Sequence, residues 1–229
     1  MLLKSAFFNY LSKVYIAFFF IGFTVLPFIS KGDILLKINS NYNSFQDIFF
    51  KIFTNLGDGI VLLPIFIIVL AIRYYYAFIL IISALLHGLA VLIFKKVLFT
   101  DAPRPTAFFN ENTLLHLTEG VEVHSSRSFP SGHTATAFVI AVFLSLIFQK
   151  KRLSILFLAT AVLVGYSRIY LLQHFYIDVM VGALIGTLSV QIPWLILVAY
   201  YPDTEEAVKT SFLRVRKLLI KRSTFNQNI

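Results

Sequence analysis

Residues able to do chemistry gather at three places in this chain. The first is Lys95-Lys96, followed after Val97 to Pro103 by Arg104-Pro105. The second is Ser128-Phe129-Pro130-Ser131-Gly132-His133. The third is Ser167-Arg168, with five residues before His174 and three more before Asp178. All three sit at ends of apolar stretches, where an ionisable group is costly and therefore a functional suspect.

These residue types suit the transfer of a phosphoryl group. Such a group carries spread negative charge on its equatorial oxygens, so positioning and fixed positive groups dominate the catalysis. Arg104 and Arg168 offer planar forks that match phosphate oxygens, and Lys96 offers a point charge. Ser131 and Gly132 open an apolar helix just after Pro130. The first turn of a helix presents free N–H groups and the positive end of its dipole, and glycine lets an anion approach the backbone. His174 and Asp178 are four apart, which on a helix gives one shared face. Asp178 would take the proton of one ring nitrogen and leave the other free to attack phosphorus. His133 is the candidate acid for the leaving oxygen and the base for water.

Taken together, the clusters resemble the three-part signature of the type-2 phosphatidic-acid-phosphatase superfamily. The second and third parts match at every defining position. The first departs: the family leaves six residues between its Lys and Arg-Pro, whereas Lys96 leaves seven and the expected position holds Val97. Either Lys96 reaches the site through a one-residue bulge, or Lys95 does. The resemblance implies a six-span membrane enzyme, with His174 as nucleophile, Asp178 as its orienter and His133 as acid and base. It implies phosphate binding by Lys96, Arg104, Ser131, Gly132 and Arg168. The motif region covers residues 95–178.

The elements that must position these groups are helices in a membrane. Of the 229 residues, 58% are hydrophobic and only 14% charged. A soluble domain carries about 25% charged residues. Six apolar stretches are readable: Val14–Ser30, Leu56–Ile72, Tyr74–Phe94, Gly132–Phe148, Leu153–Leu172 and Val179–Tyr201. A span needs ~20 residues, so the first, second and fourth are marginal. The expected fold is all-α, a six-span bundle over residues 1–205 with a basic tail at 206–229. Phe45, Ile48, Phe49 and Ile52 recur at helical steps, which predicts an amphipathic helix lying at the interface between the first two spans. The tail stretch Ser211–Arg222 fits either a helix on anionic lipid or a solvated anchor.

Six spans put both termini on one side. That side holds twelve of the lysines and arginines and the other eight, so the termini are expected to be cytoplasmic and the loops 95–131 and 168–178 to face outward. The expected location is the inner (plasma) membrane. The chain lacks cysteine, which excludes disulfides and thiolate chemistry. It has no His-Glu-x-x-His and no dense carboxylate cluster, and three cations can supply what a metal would, so neither metal nor cofactor is expected.

The remaining polar residues have plainer expectations. His87 is expected to pack inside the third span. His116 and His124 are expected in a solvated loop, with contact to a substrate headgroup as the alternative. Asp101 either orients Lys96 or Arg104 or caps a turn. Glu111, Glu119 and Glu122 make that loop acidic, to bind an amine or sugar or to set its shape. The expected partner is a lipid in the bilayer, with no nucleic acid. The favoured substrate is undecaprenyl diphosphate, followed by phosphatidylglycerol phosphate, phosphatidic acid and lipid A. Phosphate transfer to another lipid, hydrolysis of a soluble phosphate, and a non-catalytic anion-binding transporter or assembly protein are the alternatives.

Overall fold

The computed structural model describes residues 2–200; the tail 206–229 lies outside them. Nine α-helices are described: α1 (Leu2–Val25), α2 (Asp33–Asn39), α3 (Ser44–Phe53), α4 (Leu62–Ile72), α5 (Tyr74–Ile93), the short α6 (Pro105–Phe108), α7 (Gly132–Phe148), α8 (Lys151–Tyr170) and α9 (Tyr176–Tyr200). No strand is present among the described residues. All six expected apolar stretches carry helix.

Four segments are long and apolar enough to cross a membrane: Ala6–Phe28, Tyr74–Leu98, Lys151–Tyr170 and Tyr176–Leu197. The other two stretches differ from the expectation of six simple spans. The second begins with two 3-10 turns, so α4 keeps only 11 residues, or ~16 Å of helix. It reaches spanning length only together with α3, across a 56° bend. The amphipathic helix expected around residues 45–52 is therefore present as α3, but joined to the second span rather than separate from it. Asn43 starts it, accepting the backbone N–H of Gln46 at 2.9 Å.

The fourth stretch, α7, has 17 residues and sits in the middle of the bundle. Thr134 to Val139 and Ala141 to Phe143 are all buried, packed mainly against α8 and α9. Small residues allow this closeness. A Cβ at Gly182 would collide with the carbonyl oxygen of Ser131, and one at Gly186 with that of Ala135. Two glycines four apart on α9 thus let it lie directly on the backbone of α7, as small residues do in membrane helix pairs. Phe138 then packs against Tyr15, Phe18 and Phe19 of α1.

The loop before α7 is also held. His116 does not lie in solvent as expected. Its ring stacks on Tyr42 with centroids 3.6 Å apart, and its Nε2 lies 3.0 Å from both carboxylate oxygens of Asp47. Asp47 also accepts from Thr118 at 3.1 Å and from Tyr170 at 2.7 Å. Asn39 pairs with the His116 backbone through both its amide atoms. This clamp joins α2, α3 and the end of α8 to the loop.

Candidate active site

The end of α8 builds the centre of the site. Leu172 takes a left-handed conformation, φ 56°, so the chain turns back on itself. Such a backbone is unfavourable for leucine. It is held because Leu172 is fully buried against Leu35, Ile169 and Phe175. The reversal lets the N–H groups of Gln173 and His174 both donate to the carbonyl of Arg168, at 2.9 and 3.1 Å. His174 is thus folded under the arginine that precedes it.

His174 is 1% exposed and its Nδ1 lies 3.4 Å from Oδ2 of Asp178. The contact does not come from one helical face, as the spacing had implied. His174 lies in the loop and Asp178 in the first turn of α9. Asp178 Oδ2 also accepts the backbone N–H of Phe175 at 3.0 Å and the hydroxyl of Ser128. Burial pushes the His174 imidazole well below its ordinary range. Asp178 opposes that shift, and the charges of Arg168 and Arg104 add to it. The ring is accordingly neutral near pH 7, with Nδ1 toward the carboxylate and Nε2 available.

Two buried arginines stand over this pair. Arg104 donates through Nη1 to Gln173 Oε1 at 2.7 Å and through Nε to the carbonyl of Ser126 at 3.1 Å. Arg168 donates to Thr54 Oγ1 at 2.8 Å and reaches Gln173 Oε1 at 3.5 Å. The Nε–H of Arg168 is buried with no partner in the protein. An orphan charged donor is expensive, and an incoming oxyanion would satisfy it.

Ser131 caps α7, its hydroxyl oxygen accepting the backbone N–H of Thr134 at 3.4 Å and the Thr134 hydroxyl at 2.9 Å, and its backbone N–H donates to the carbonyl of Asp178 at 3.0 Å. That second bond fixes the start of α7 against α9. Gly132 is the first helical residue, and a Cβ there would meet only Val91 at 3.7 Å. Packing does not demand glycine here, and the backbone at this turn is open on that side. His133 is half-buried in the same turn. Like His174, it lies within electrostatic range of both Arg104 and Arg168. The three clusters therefore converge.

The lysines divide. α5 closes in a π-turn, Phe94–Leu98, with the Phe99 N–H donating to the Phe94 carbonyl at 2.8 Å. A π-turn accommodates one extra residue, which absorbs part of the long gap before Arg104. Lys95 is half-buried, within electrostatic range of Arg104, Arg168 and Asp178. Lys96 is exposed. Both line a cavity of about 480 Å³ together with Arg104, Arg127 and the apolar Val91 and Leu92.

Three residues join the site without having been assigned a role from the sequence. Gln173 bridges the arginines, Thr54 holds Arg168 from 114 positions away, and Ser128 steadies Asp178. Of the other histidines, His87 is buried as expected, between the Ser83 carbonyl at 3.2 Å and Thr136 Oγ1 at 3.4 Å. His124 is exposed at the cavity rim.

A family model for the PAP2 superfamily matches residues 73–201, more than half of the chain and all three clusters. The chain belongs to the PAP2 superfamily. Two solved PAP2-type folds resemble it. LpxE of Aquifex aeolicus is 35% identical, with a TM-score of 0.63, over 72% of this chain and 94% of that one. The PAP2-type phosphatidylglycerolphosphate phosphatase of Bacillus subtilis is 27% identical, with a TM-score of 0.54, over 86% and 96%. Two curated relatives match over shorter segments, each 43% identical. One is a lipid A 4'-phosphatase of Bacteroides thetaiotaomicron, over 25% of this chain. The other is the bacitracin transport permease protein BcrC of Bacillus licheniformis, over 34%. The matched segments span 26% and 37% of those proteins. With these PAP2 relatives and its apolar helices, the chain is a multi-pass membrane protein.

Proposed function

We propose that this chain is a membrane lipid phosphatase, removing phosphate from a lipid phosphate or diphosphate through a phosphohistidine intermediate. One observation carries the reading: the buried His174–Asp178 pair stands beneath two arginines, one with an unpartnered buried donor. His174 Nε2 attacks phosphorus while Asp178 holds the other ring nitrogen. The bond to the leaving oxygen breaks, and His133 supplies its proton. Water, deprotonated by His133, then cleaves the phosphorus–nitrogen bond. Arg104, Arg168, the first turn of α7 from Gly132, positioned by the cap Ser131, and Lys95 or Lys96 hold the transferring oxygens.

The favoured substrate is undecaprenyl diphosphate. Lipid A, phosphatidylglycerol phosphate and phosphatidic acid come next, the first two matching words in the names of relatives. Residues 1–205 form the catalytic unit and 206–229 a basic cytoplasmic tail. The protein sits in the inner membrane with both termini in the cytoplasm and the site on the outer side, a reading supported by the excess of basic residues on the terminal side. The test is phosphate release by purified protein from a panel of these lipids in EDTA, with and without vanadate. Vanadate-sensitive, EDTA-resistant turnover is expected. Strict dependence on added metal, or no release from any lipid, would overturn the reading.

A further inference from the structure

The cavity beside the site holds more positive charge than one phosphate uses. Lys96 and Arg127 line it along with Lys95 and Arg104, and His124 stands at its rim. Among the described residues neither Lys96 nor Arg127 has an ion-pair or hydrogen-bond partner. The local backbone is built to present Arg127. On one side of it Arg104 ties down Ser125 and Ser126 through their carbonyls, at 2.9 and 3.1 Å. On the other, the Ser128 N–H donates to the Ala102 carbonyl at 3.1 Å. Between these anchors Arg127 is left-handed, φ 56°, which a non-glycine residue adopts only under constraint. The opposite wall, Val91 and Leu92 of α5, is apolar, and Leu92 is 48% exposed at the surface of a membrane span.

We infer that Lys96 and Arg127, with His124 beside them, form a second anion subsite that takes the lipid-attached phosphate of a lipid diphosphate while the terminal phosphate is attacked. The inference rests on the phosphatase reading above and narrows its substrate class. Arg104 belongs both to the site and to the cavity, so a terminal phosphate held by Arg104 leaves the second phosphate to Arg127 and Lys96 and the chain to Val91 and Leu92. His174 forms its bond to the terminal phosphorus, and the bond to the bridging oxygen breaks. The electron pair leaves on the lipid monophosphate, whose new charge falls in this subsite, with a proton from His133. Water then releases inorganic phosphate and returns a proton to His133.

The test compares farnesyl diphosphate with farnesyl monophosphate, which share one chain, on the purified full-length protein in detergent. Arg127→Asn keeps a residue that tolerates left-handed backbone, and Lys96→Gln is an independent second variant. Each is expected to lower kcat/KM for the diphosphate about tenfold more than for the monophosphate, the scale of one hydrogen bond to a charged group. Equal losses on both substrates, or none in either variant, would overturn the subsite. Wild-type protein that cleaves the monophosphate as well as the diphosphate would overturn the subsite alone. Wild-type protein that cleaves neither would overturn the phosphatase reading as well.

Discussion

Arg104 and Gln173, 69 positions apart, share a 2.7 Å hydrogen bond from Nη1 to Oε1. The same amide oxygen receives Arg168 at 3.5 Å, and the Gln173 amide nitrogen donates to the Glu122 carbonyl at 2.9 Å. One neutral side chain thus keeps two cations side by side without neutralising them. Gln173→Leu is expected to lower kcat/KM by about 10- to 100-fold, the range for lost hydrogen bonds to charged groups. Gln173→Glu is expected to do worse on KM, because a carboxylate would compete with the substrate for both guanidinium groups. A vanadate inhibition constant, weakened more by Glu than by Leu, checks this.

His174→Ala is expected to abolish turnover, and Asp178→Asn to reduce kcat by roughly 10²–10⁴-fold, the usual contribution of acid–base and orienting groups. Acid quench of wild-type protein with labelled substrate should trap phosphate on histidine, and His174→Ala should trap none. Label retained in that variant would move the nucleophile elsewhere.

The pH profile follows from burial. His174 must be neutral to attack, and burial lowers its pKa below the ordinary value of about 6.5. The nucleophile is therefore competent above that value and lost only as pH falls well beneath it, while the fall at higher pH is set by His133, which must hold a proton for the leaving oxygen. Asp178 opposes the shift, so Asp178→Asn is expected to move the acid limb of kcat/KM lower still. An acid limb at or above about pH 6.5 would contradict the assignment.

Lys95→Ala is expected to raise KM for every lipid phosphate, monoesters included, because Lys95 lies in range of both arginines. Spacing alone had favoured Lys96 for this role. A larger monoester defect in Lys96→Ala than in Lys95→Ala, measured side by side, would return the assignment to Lys96.

Gly186→Val is expected to destabilise the bundle by about 1–3 kcal/mol, the cost of overpacking, since its Cβ meets the Ala135 backbone. Gly59→Ala, with nothing within 4 Å, is expected to leave the melting temperature in detergent unchanged. Similar shifts for both would contradict the close α7–α9 contact.

Much of this arrangement was legible in the residues. Ser131 as cap and the left-handed Gln149 bound α7 where the apolar run begins and ends. The three clusters converge because each sits at a helix end on one side of the bundle. What was hidden depended on tertiary partners. No local pattern tells that α4 starts late, behind two 3-10 turns, or that Tyr42 and Asp47 trap His116. The His174–Asp178 spacing points to a helical face, since i, i+4 usually means that, yet the left-handed Leu172 supplies the approach. Gln173 and Thr54 are neutral residues whose importance appears only beside the arginines.

Arg168 holds the nucleophile by its carbonyl and stands ready for the anion with its guanidinium. Reactive nitrogen and anion clamp are therefore parts of one short stretch of chain, indifferent to small breathing motions of the surrounding helices. Insertions or deletions between Ser167 and Asp178 have nowhere to go. The segment 106–123 is fastened mainly by the separate clamp of Asn39, Tyr42 and Asp47 on His116 and Thr118, so it can change in sequence between those anchor points without moving the reactive nitrogen.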